Sequence, residues 1–205
     1  NELWLTFDDA VKSQFDVALP VLKKFKIKAF FFVHTSIFGK NKNNLELFRK
    51  FRTNYKGGIN KFYNDFFDLI DQYKKLNNFF SLHKNEIQLK KKLFPFYSIQ
   101  DIKFRLIRDK FLNLRAYEKL TFQLMKKSKF NLYKEKKSLF FFKKDLINLS
   151  QDGHIIGLHT HNHPTQLETL SYNDQKKEFA KNLATLKKIL PKKQIIQTMA
   201  HPCGS

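Results

Sequence analysis

The sequence predicts an α/β fold in which a parallel β-sheet is interrupted, after its second strand, by a large helical insertion. Short apolar runs of strand length alternate with helical spacing near both ends of the chain, whereas a long central stretch carries helical patterns only. The polar residues best suited to chemistry follow predicted strands directly. With 205 residues, 42% of them hydrophobic, the chain can bury one substantial core.

The first part of the chain carries a strand, helix, strand pattern. Residues 3–7 and 28–33 are short apolar runs bounded by charge, as is typical of buried parallel strands. Between them, apolar side chains recur at the spacing of one helix face, at Phe15, Ala18, Leu19, Leu22 and Phe25. This order predicts a βαβ unit with two parallel strands in one sheet.

The central stretch is predicted to contain helices and no strands. Helical spacing covers residues 45–55, 59–76, 98–112 and 114–127. One stripe of the second segment is entirely apolar or aromatic, at Phe62, Phe66, Leu69 and Tyr73. We expect such stripes to pack against one another in a core rather than to line a ligand site.

The strand and helix alternation resumes in the last third. A helix over residues 143–151 and a turn at Asp152-Gly153 precede a strand over residues 155–158. Ser171 begins a further helix that Pro191 ends, and residues 195–199 form the last predicted strand. The expected buried face of that helix consists of Phe179, Leu183, Leu186 and Leu190.

These patterns divide the chain into three segments. Residues 1–38 and 149–205 belong to one α/β domain, and residues 39–148 form the helical insertion. Because the sequence begins inside one apolar run and stops just after another, we expect both natural ends to lie beyond it.

Charge and cysteine content restrict the classes of function. The formal net charge of +21 raises the alternative of a basic nucleic-acid-binding protein, which predicts steeply salt-dependent binding and no need for metal. No nucleic-acid-binding motif accompanies the lysines, so we expect no specific nucleic-acid partner. Cys203 is the only cysteine, which excludes an intrachain disulfide and a cysteine zinc knot. No apolar run reaches transmembrane length.

Two carboxylates follow the first predicted strand. Asp8 and Asp9 are adjacent, and alternation along a strand would point their side chains in different directions, so that one could bind a cation while the other acts as a base. A solvated turn or a helix cap is the alternative for such a pair.

Three histidines follow the strand over residues 155–158. His159 and His163 are four residues apart, before Pro164, so a single turn of loop would let both imidazoles reach one cation. A histidine cluster without metal is the alternative. Two imidazoles and one carboxylate would leave positions open for water and substrate, as a catalytic metal site requires.

Three segments of the chain together resemble the polysaccharide deacetylases, also called the NodB-homology domain or carbohydrate esterase family 4. Residues 6–10, Thr-Phe-Asp-Asp-Ala, are similar to the family's Thr-Phe-Asp-Asp-Gly motif, with Ala10 in place of glycine. Residues 159–164, His-Thr-His-Asn-His-Pro, match its His-Ser/Thr-x-x-His-Pro motif. Residues 200–204, Ala-His-Pro-Cys-Gly, resemble a third motif, with Ala200 where some members carry arginine.

The resemblance implies a distorted (β/α) barrel, of which these residues would form only a part, and a role for each matching residue. Asp8 would be the general base, and Asp9, His159 and His163 would hold one divalent metal ion. Zinc is the first expectation, with cobalt, nickel or manganese as alternatives. The backbone N–H of Cys203 would stabilise an oxyanion, and Pro202 and His201 would contact the substrate. The implied substrate is an acetylated carbohydrate.

The resemblance also implies a reaction, which is hydrolytic removal of acetyl groups from N-acetylated, or less readily O-acetylated, sugars. A second hypothesis is a carbohydrate-binding relative that retains the fold but not catalysis. The helical insertion follows the second strand, at the end of the strand where the site is expected. We therefore expect the insertion to form a cap over a substrate groove. His161 would be a spacer, and no role follows for His34 or His83.

Overall fold

The computed structural model describes residues 3–39, 44–71 and 76–204, and within them the chain is a mixed α/β protein that is mostly helical. The three strands are β1 (Thr6–Phe7), β2 (Phe30–Val33) and β3 (Ile155–Leu158). The first two helices are α1 (Leu19–Lys24) and α2 (Leu45–Thr53). The remaining helices are α3 (Gly58–Asp71), α4 (Leu76–Leu82), α5 (Lys84–Leu93), α6 (Ile99–Leu106), α7 (Leu114–Lys127), α8 (Leu132–Lys137), α9 (Lys143–Gln151) and α10 (Tyr172–Ile189).

The chain divides into two compact units. The first consists of Asn1–Glu46 with Tyr133–Ser205 and contains the sheet; the second, Leu47–Leu132, contains helices. In the described residues of either unit, no helix has both the length and the apolar character needed to cross a membrane.

The sheet is parallel, with strand order β1-β2-β3. β2 is central and buried at all four positions, because strands on both sides and side chains on both faces cover it. Its register with β3 runs from Phe30 opposite Ile155 to Val33 opposite Leu158. Both strands therefore end at the same edge, which brings the residues that follow them together. The predicted α/β class and parallel pairing are confirmed.

Two strand predictions were too long. β1 covers only Thr6–Phe7, and the side chains of Leu3 and Trp4 are 98% and 64% exposed, because this strand pairs with β2 alone. Residues 195–199 form no extended strand; a parallel bridge joins Met199 to Leu158, and the backbone N–H of Leu158 donates to the Thr198 carbonyl.

In the second unit, aromatic side chains form the core, as predicted. On α3 the buried positions are Phe62, Tyr63, Phe66 and Ile70, whereas Leu69 is half-buried and Tyr73 lies outside the described residues. Phe104 of α6 packs against Phe62 and Phe66, with ring centroids 5.5 and 5.0 Å apart. The interpretation as core packing rather than a ligand site is therefore supported.

Candidate metal and active site

Three predicted metal ligands meet where the chain leaves β1 and β3. Asp9, His159 and His163 each offer one ligand atom, and these atoms all lie within 4.8 Å of one another. The Asp9 Oδ1 atom is 2.8 Å from Nε2 of His163 and 3.3 Å from Nε2 of His159. The His159 and His163 side chains are only 2% and 3% exposed. The structure therefore brings together residues that are 150 positions apart in sequence.

The local backbone at this site is unusual. Left-handed φ values occur at Asp9, Ala10, Thr160, His163 and Cys203, at 72°, 56°, 62°, 55° and 58°. Only two other non-glycine residues in the described ranges share this conformation. Left-handed backbone is unfavourable for residues with a Cβ atom and is often concentrated where function requires a particular geometry. Tight turns of this kind allow His159 and His163 to face the same point.

The Thr160 side chain stabilises the turn between the two histidines. Thr160 is fully buried, and its hydroxyl oxygen accepts a hydrogen bond from the backbone N–H of His163 at 3.2 Å. The second histidine is thereby held one turn away from the first. As the four-residue spacing predicted, the two imidazoles approach one point, the Oδ1 atom of Asp9.

A hydrogen bond determines which nitrogen of His159 faces Asp9. The Nδ1 atom lies 2.9 Å from the carbonyl oxygen of Ala200, and because a carbonyl only accepts, Nδ1 must carry the proton. Nε2 is therefore the nitrogen directed at Asp9, as in metal sites where a carbonyl orients the ligand. Burial alone would lower the pKa of His159, but the bonds to Asp9 and Ala200 and the charges of both aspartates raise it.

Antiparallel pairing fixes the segment that carries the aspartates. Val11 bridges to Phe140, and the N–H of Phe141 donates to the carbonyl of Ala10. Ala10, at the position of the glycine in the family motif, is 1% exposed.

Asp8 precedes Asp9 and is exposed, and its carboxyl group is close enough to the three clustered side chains to interact with their charges. Loss of solvent around its carboxyl group raises the pKa of Asp8, and the negative charge of Asp9 raises it further. The positive charges of His159 and His163 lower it, but the net shift of the pKa is upward. A carboxylate with a raised pKa is a stronger base, so this environment suits proton transfer.

The third motif reaches the site through its backbone. The Ala200 carbonyl contacts His159, as described above, whereas the His201 ring lies 5.8 Å from the ring of Phe179 and is exposed. Pro202 is buried and Cys203 is exposed. The oxyanion role of the Cys203 N–H and the substrate contacts of Pro202 and His201 stay predictions.

His34 is a site neighbour that the sequence reasoning did not assign. It follows β2, is 2% exposed, and its ring centroid lies 5.3 Å from that of His163. Burial, reinforced by His163, lowers the pKa of His34 to about 3, so its ring is neutral at neutral pH. A histidine directly after a buried strand, at the same sheet edge as His159, was the available signal.

Two polar residues of α10 were also missed. Asn182 is fully buried on the helix face predicted to be apolar, and Glu178 lies one turn before it. Both bond to the segment around His159–His163. The signal for Asn182 was an amide at a helix position whose spacing places it on the apolar face, because a buried amide without hydrogen bonds would be costly.

The donor set fits a single divalent ion. A tetrahedral zinc site with bonds of about 2.0–2.2 Å places its donor atoms roughly 3.3–3.6 Å apart. The Nε2–Oδ1 separation of 3.3 Å to His159 is within this range, whereas the 2.8 Å separation to His163 is shorter and is that of a hydrogen bond. Two imidazole nitrogens and one carboxylate oxygen are also the donor types that zinc and related ions accept.

Comparison with known proteins gives one match. A family model described as polysaccharide deacetylase matches residues 1–55 and 53–205. No curated protein and no solved structure matches the chain significantly. The match covers more than half of the chain and includes all three motifs, so the resemblance drawn from those motifs is confirmed. The chain belongs to the polysaccharide deacetylase family.

Proposed function

We propose that this protein is a metal-dependent hydrolase that removes acetyl groups from N-acetylated, or less readily O-acetylated, sugars of a polysaccharide or its precursor. The observation that carries the proposal is the convergence of Asp9, His159 and His163, with Asp8 beside them. The family match supports the same type of reaction. Zinc is the proposed ion, with cobalt, nickel or manganese as alternatives.

The proposed mechanism assigns separate tasks to the two aspartates. When bound, a divalent ion supplies a Lewis acid that polarises the acetyl carbonyl and acidifies a water molecule. Asp9, His159 and His163 would hold that ion, and Asp8 would accept the proton from the attacking water. The raised pKa of Asp8 favours this base role.

The third motif would complete the site on the substrate side. The backbone N–H of Cys203 would donate to the oxygen that gains negative charge, and Pro202 and His201 would contact the sugar. One oxyanion donor is typically worth about 10²–10³ in rate, so even a single backbone N–H matters.

The barrel and the role of the insertion belong to the same proposal. The parallel order β1-β2-β3, with the site after the strand ends, supports a (β/α) barrel of which these residues form part. Residues 1–38 and 149–205 would contribute the barrel, and residues 39–148 would form a cap that narrows the substrate groove.

The test is acetate release from chitin oligosaccharides by the zinc-loaded protein, with metal content measured on the same samples. Asp8→Asn should retain the metal and lose about 10²–10⁴ in rate, because only the base is removed. Asp16→Asn is the matched control, since Asp16 lies on the neighbouring helical turn and its side chain is 56% exposed. Its rate should equal that of the unsubstituted protein.

A non-catalytic carbohydrate-binding relative is the second candidate. It is favoured by Ala200, which stands where some family members carry an arginine that orients the base. This candidate predicts that the protein binds metal and oligosaccharide without releasing acetate. Full activity of Asp8→Asn would instead contradict the assignment of Asp8 as the base.

A further inference from the structure

Helix α10 carries a buried amide in an otherwise apolar position. Asn182 is 0% exposed, and one turn later Leu186 is equally buried. A leucine or alanine at 182 would continue the apolar face, whereas a buried amide is costly unless its polar atoms are bonded. The bonds of this side chain therefore indicate what its polarity is for.

The hydrogen bonds of Asn182 tie the ends of β2 and β3 together. Its Oδ1 atom accepts from the backbone N–H of His159 at 3.0 Å. Its Nδ2 atom donates to the carbonyl of Val33 at 2.9 Å and to the Thr35 hydroxyl at 3.1 Å. Because an N–H only donates and a carbonyl only accepts, the partners determine the orientation of the amide.

Glu178 holds the loop between the two histidines from the same side of the helix. Its Oε2 atom accepts from the backbone N–H groups of His161 and Asn162, at 2.9 and 2.7 Å. Its Oε1 atom accepts from the Asn162 side-chain amide at 2.6 Å. One carboxylate therefore immobilises both residues that precede His163.

The loop between His159 and His163 also forms hydrogen bonds with the residues that follow β2. The N–H of Ser36 donates to the carbonyl of His161 at 2.8 Å, and the Thr35 hydroxyl lies 2.9 Å from Nδ1 of His161. Asn182 bonds to that hydroxyl as well. The segment from His159 to His163 thus has backbone contacts on two sides.

We propose that Asn182, supported by Glu178, is a positioning residue for the metal ligands His159 and His163. This inference rests on the proposed function, since it concerns the same metal site. Asn182 fixes the backbone of the first histidine directly, and Glu178 fixes the loop that sets the second. Neither side chain touches the ion or the substrate; each acts through the backbone that presents the imidazoles.

The experiment measures Co²⁺ affinity and the visible absorption spectrum of bound Co²⁺ in the whole protein. Asn182→Leu removes all three hydrogen bonds at similar volume and should weaken binding about 10–100-fold, the range typical of lost outer-shell partners. Its Co²⁺ spectrum should shift, because the ligand geometry changes. Glu178→Ala, at a half-buried site that tolerates truncation, should weaken binding in the same direction.

Leu186→Ala is the matched control for general destabilisation. Leu186 lies on the same helix and is as buried as Asn182 but bonds to no ligand segment, so its variant should lose thermal stability and retain Co²⁺ affinity and spectrum. Unchanged affinity and spectrum in both Asn182→Leu and Glu178→Ala would overturn the inference alone. Equal weakening in Leu186→Ala would overturn it too. Failure of the unsubstituted protein to bind Co²⁺ or Zn²⁺ would overturn the proposed function.

Discussion

His154 is a buried histidine at the opposite end of β3 from the proposed metal ligands, and it is held in the neutral form. It is 4% exposed, and its Nδ1 atom accepts a hydrogen bond from the backbone N–H of Ala29 at 3.2 Å. Protonation of Nδ1 would break that bond. Burial lowers the pKa of His154, and the nearby Lys28 lowers it further.

The lowered pKa of His154 predicts a loss of stability in acid. Between the pKa of the unfolded state, about 6.5, and the lower pKa of the folded state, only the unfolded chain binds the extra proton. The stability contribution is therefore fully present above about pH 6.5 and is lost as the pH falls below it. His154→Gln, which removes this titration, should reduce the slope by up to about 1.4 kcal/mol per pH unit. Urea unfolding from pH 7.5 to 5 with a chelator measures this, and equal slopes in the two proteins would contradict it.

At the residue scale, sequence reasoning proposed site residues whose own side chains could bind metal or accept a proton. Asp8, Asp9, His159 and His163 were recognisable because carboxylates and imidazoles follow predicted strands and match two motifs. Asn182 and Glu178 were not, because their importance comes from backbone groups distant in the sequence that only the fold brings near. Left-handed φ at Asp9 and His163 was equally invisible, since neither residue is a glycine.

At the element scale, three helices end in the same hydrogen-bonded turn. After α1, α7 and α9, the backbone N–H of the sixth residue of the turn donates to the carbonyl of the first. Examples are the N–H of Ile27 to the carbonyl of Leu22 and the N–H of His154 to the carbonyl of Leu149. The residue in the left-handed position is Gly153 after α9, at φ 82°, but Lys26 and Lys129 after the other two, at 55° and 54°. The two lysines therefore sit where glycine is favoured.

Glycine at either lysine position should stabilise the protein. Lys26→Gly and Lys129→Gly each remove the strain of a Cβ atom in left-handed backbone. Two effects offset part of this gain in stability: the loss of a cation near a helix C-terminus, and the greater freedom of glycine in the unfolded chain. The expected gain is about 0.5–1 kcal/mol each. Thermal unfolding measures it, and Lys26→Ala, which retains the Cβ atom, should give no such gain. A lower melting temperature for both glycine variants would contradict the prediction.

Gly157 of β3 is required by a close contact rather than by its backbone angles. A Cβ atom there would lie 2.5 Å from Cδ1 of Phe32 and 2.7 Å from Oγ1 of Thr198. Gly157→Ala should therefore cost about 1–3 kcal/mol, as overpacking of a full core usually does. Chemical denaturation checks this, and the double variant Phe32→Leu/Gly157→Ala should recover part of the loss. If Gly157→Ala were as stable as the unsubstituted protein, Phe32 and Thr198 would have to move aside at no cost, and the prediction would be wrong.

The periodicity of apolar residues predicted the presence of helices and strands better than it predicted where they begin and end. β3, α7 and α9 have the predicted limits, because strong caps or turn residues bound them. The predicted helix over residues 98–112 divides into α6 and a π-helical turn, Ile107–Phe111. Helices α4, α5 and α8 were not among the predicted segments. Helix α4 buries only Leu76, α5 buries only Ile87 and α8 buries no residue, so none of them has a clear apolar stripe.

At the scale of the whole molecule, every described ligand of the proposed metal site, with the partners that orient it, lies in the first unit. Asp9, His159, His163 and Asn182 all belong to Asn1–Glu46 or Tyr133–Ser205. The parallel order of the sheet was predictable because βαβ units dictate it. A barrel rests on the family resemblance, because the sheet in the part of the chain that the structure describes has three strands.

This arrangement predicts that the second unit is dispensable for metal binding. Replacement of Leu47–Leu132 by a flexible Gly/Ser linker should leave zinc stoichiometry unchanged and alter the preference for oligosaccharide length, if the insertion caps the groove. Metal analysis and acetate release from chitin oligosaccharides of increasing length measure the two effects. Unaltered length preference would remove the cap hypothesis while leaving the metal site intact.

The most direct test of the central claim is the stoichiometry of zinc binding to the purified protein, compared between His163→Ala and His161→Ala. The two histidines are in the same loop, but only His163 places a ring nitrogen beside Asp9, at 2.8 Å. We predict about one tightly bound zinc per chain in the unsubstituted protein and in His161→Ala, and loss of that zinc in His163→Ala. An unsubstituted protein without bound zinc, or a His163→Ala variant that retains it, would contradict the account.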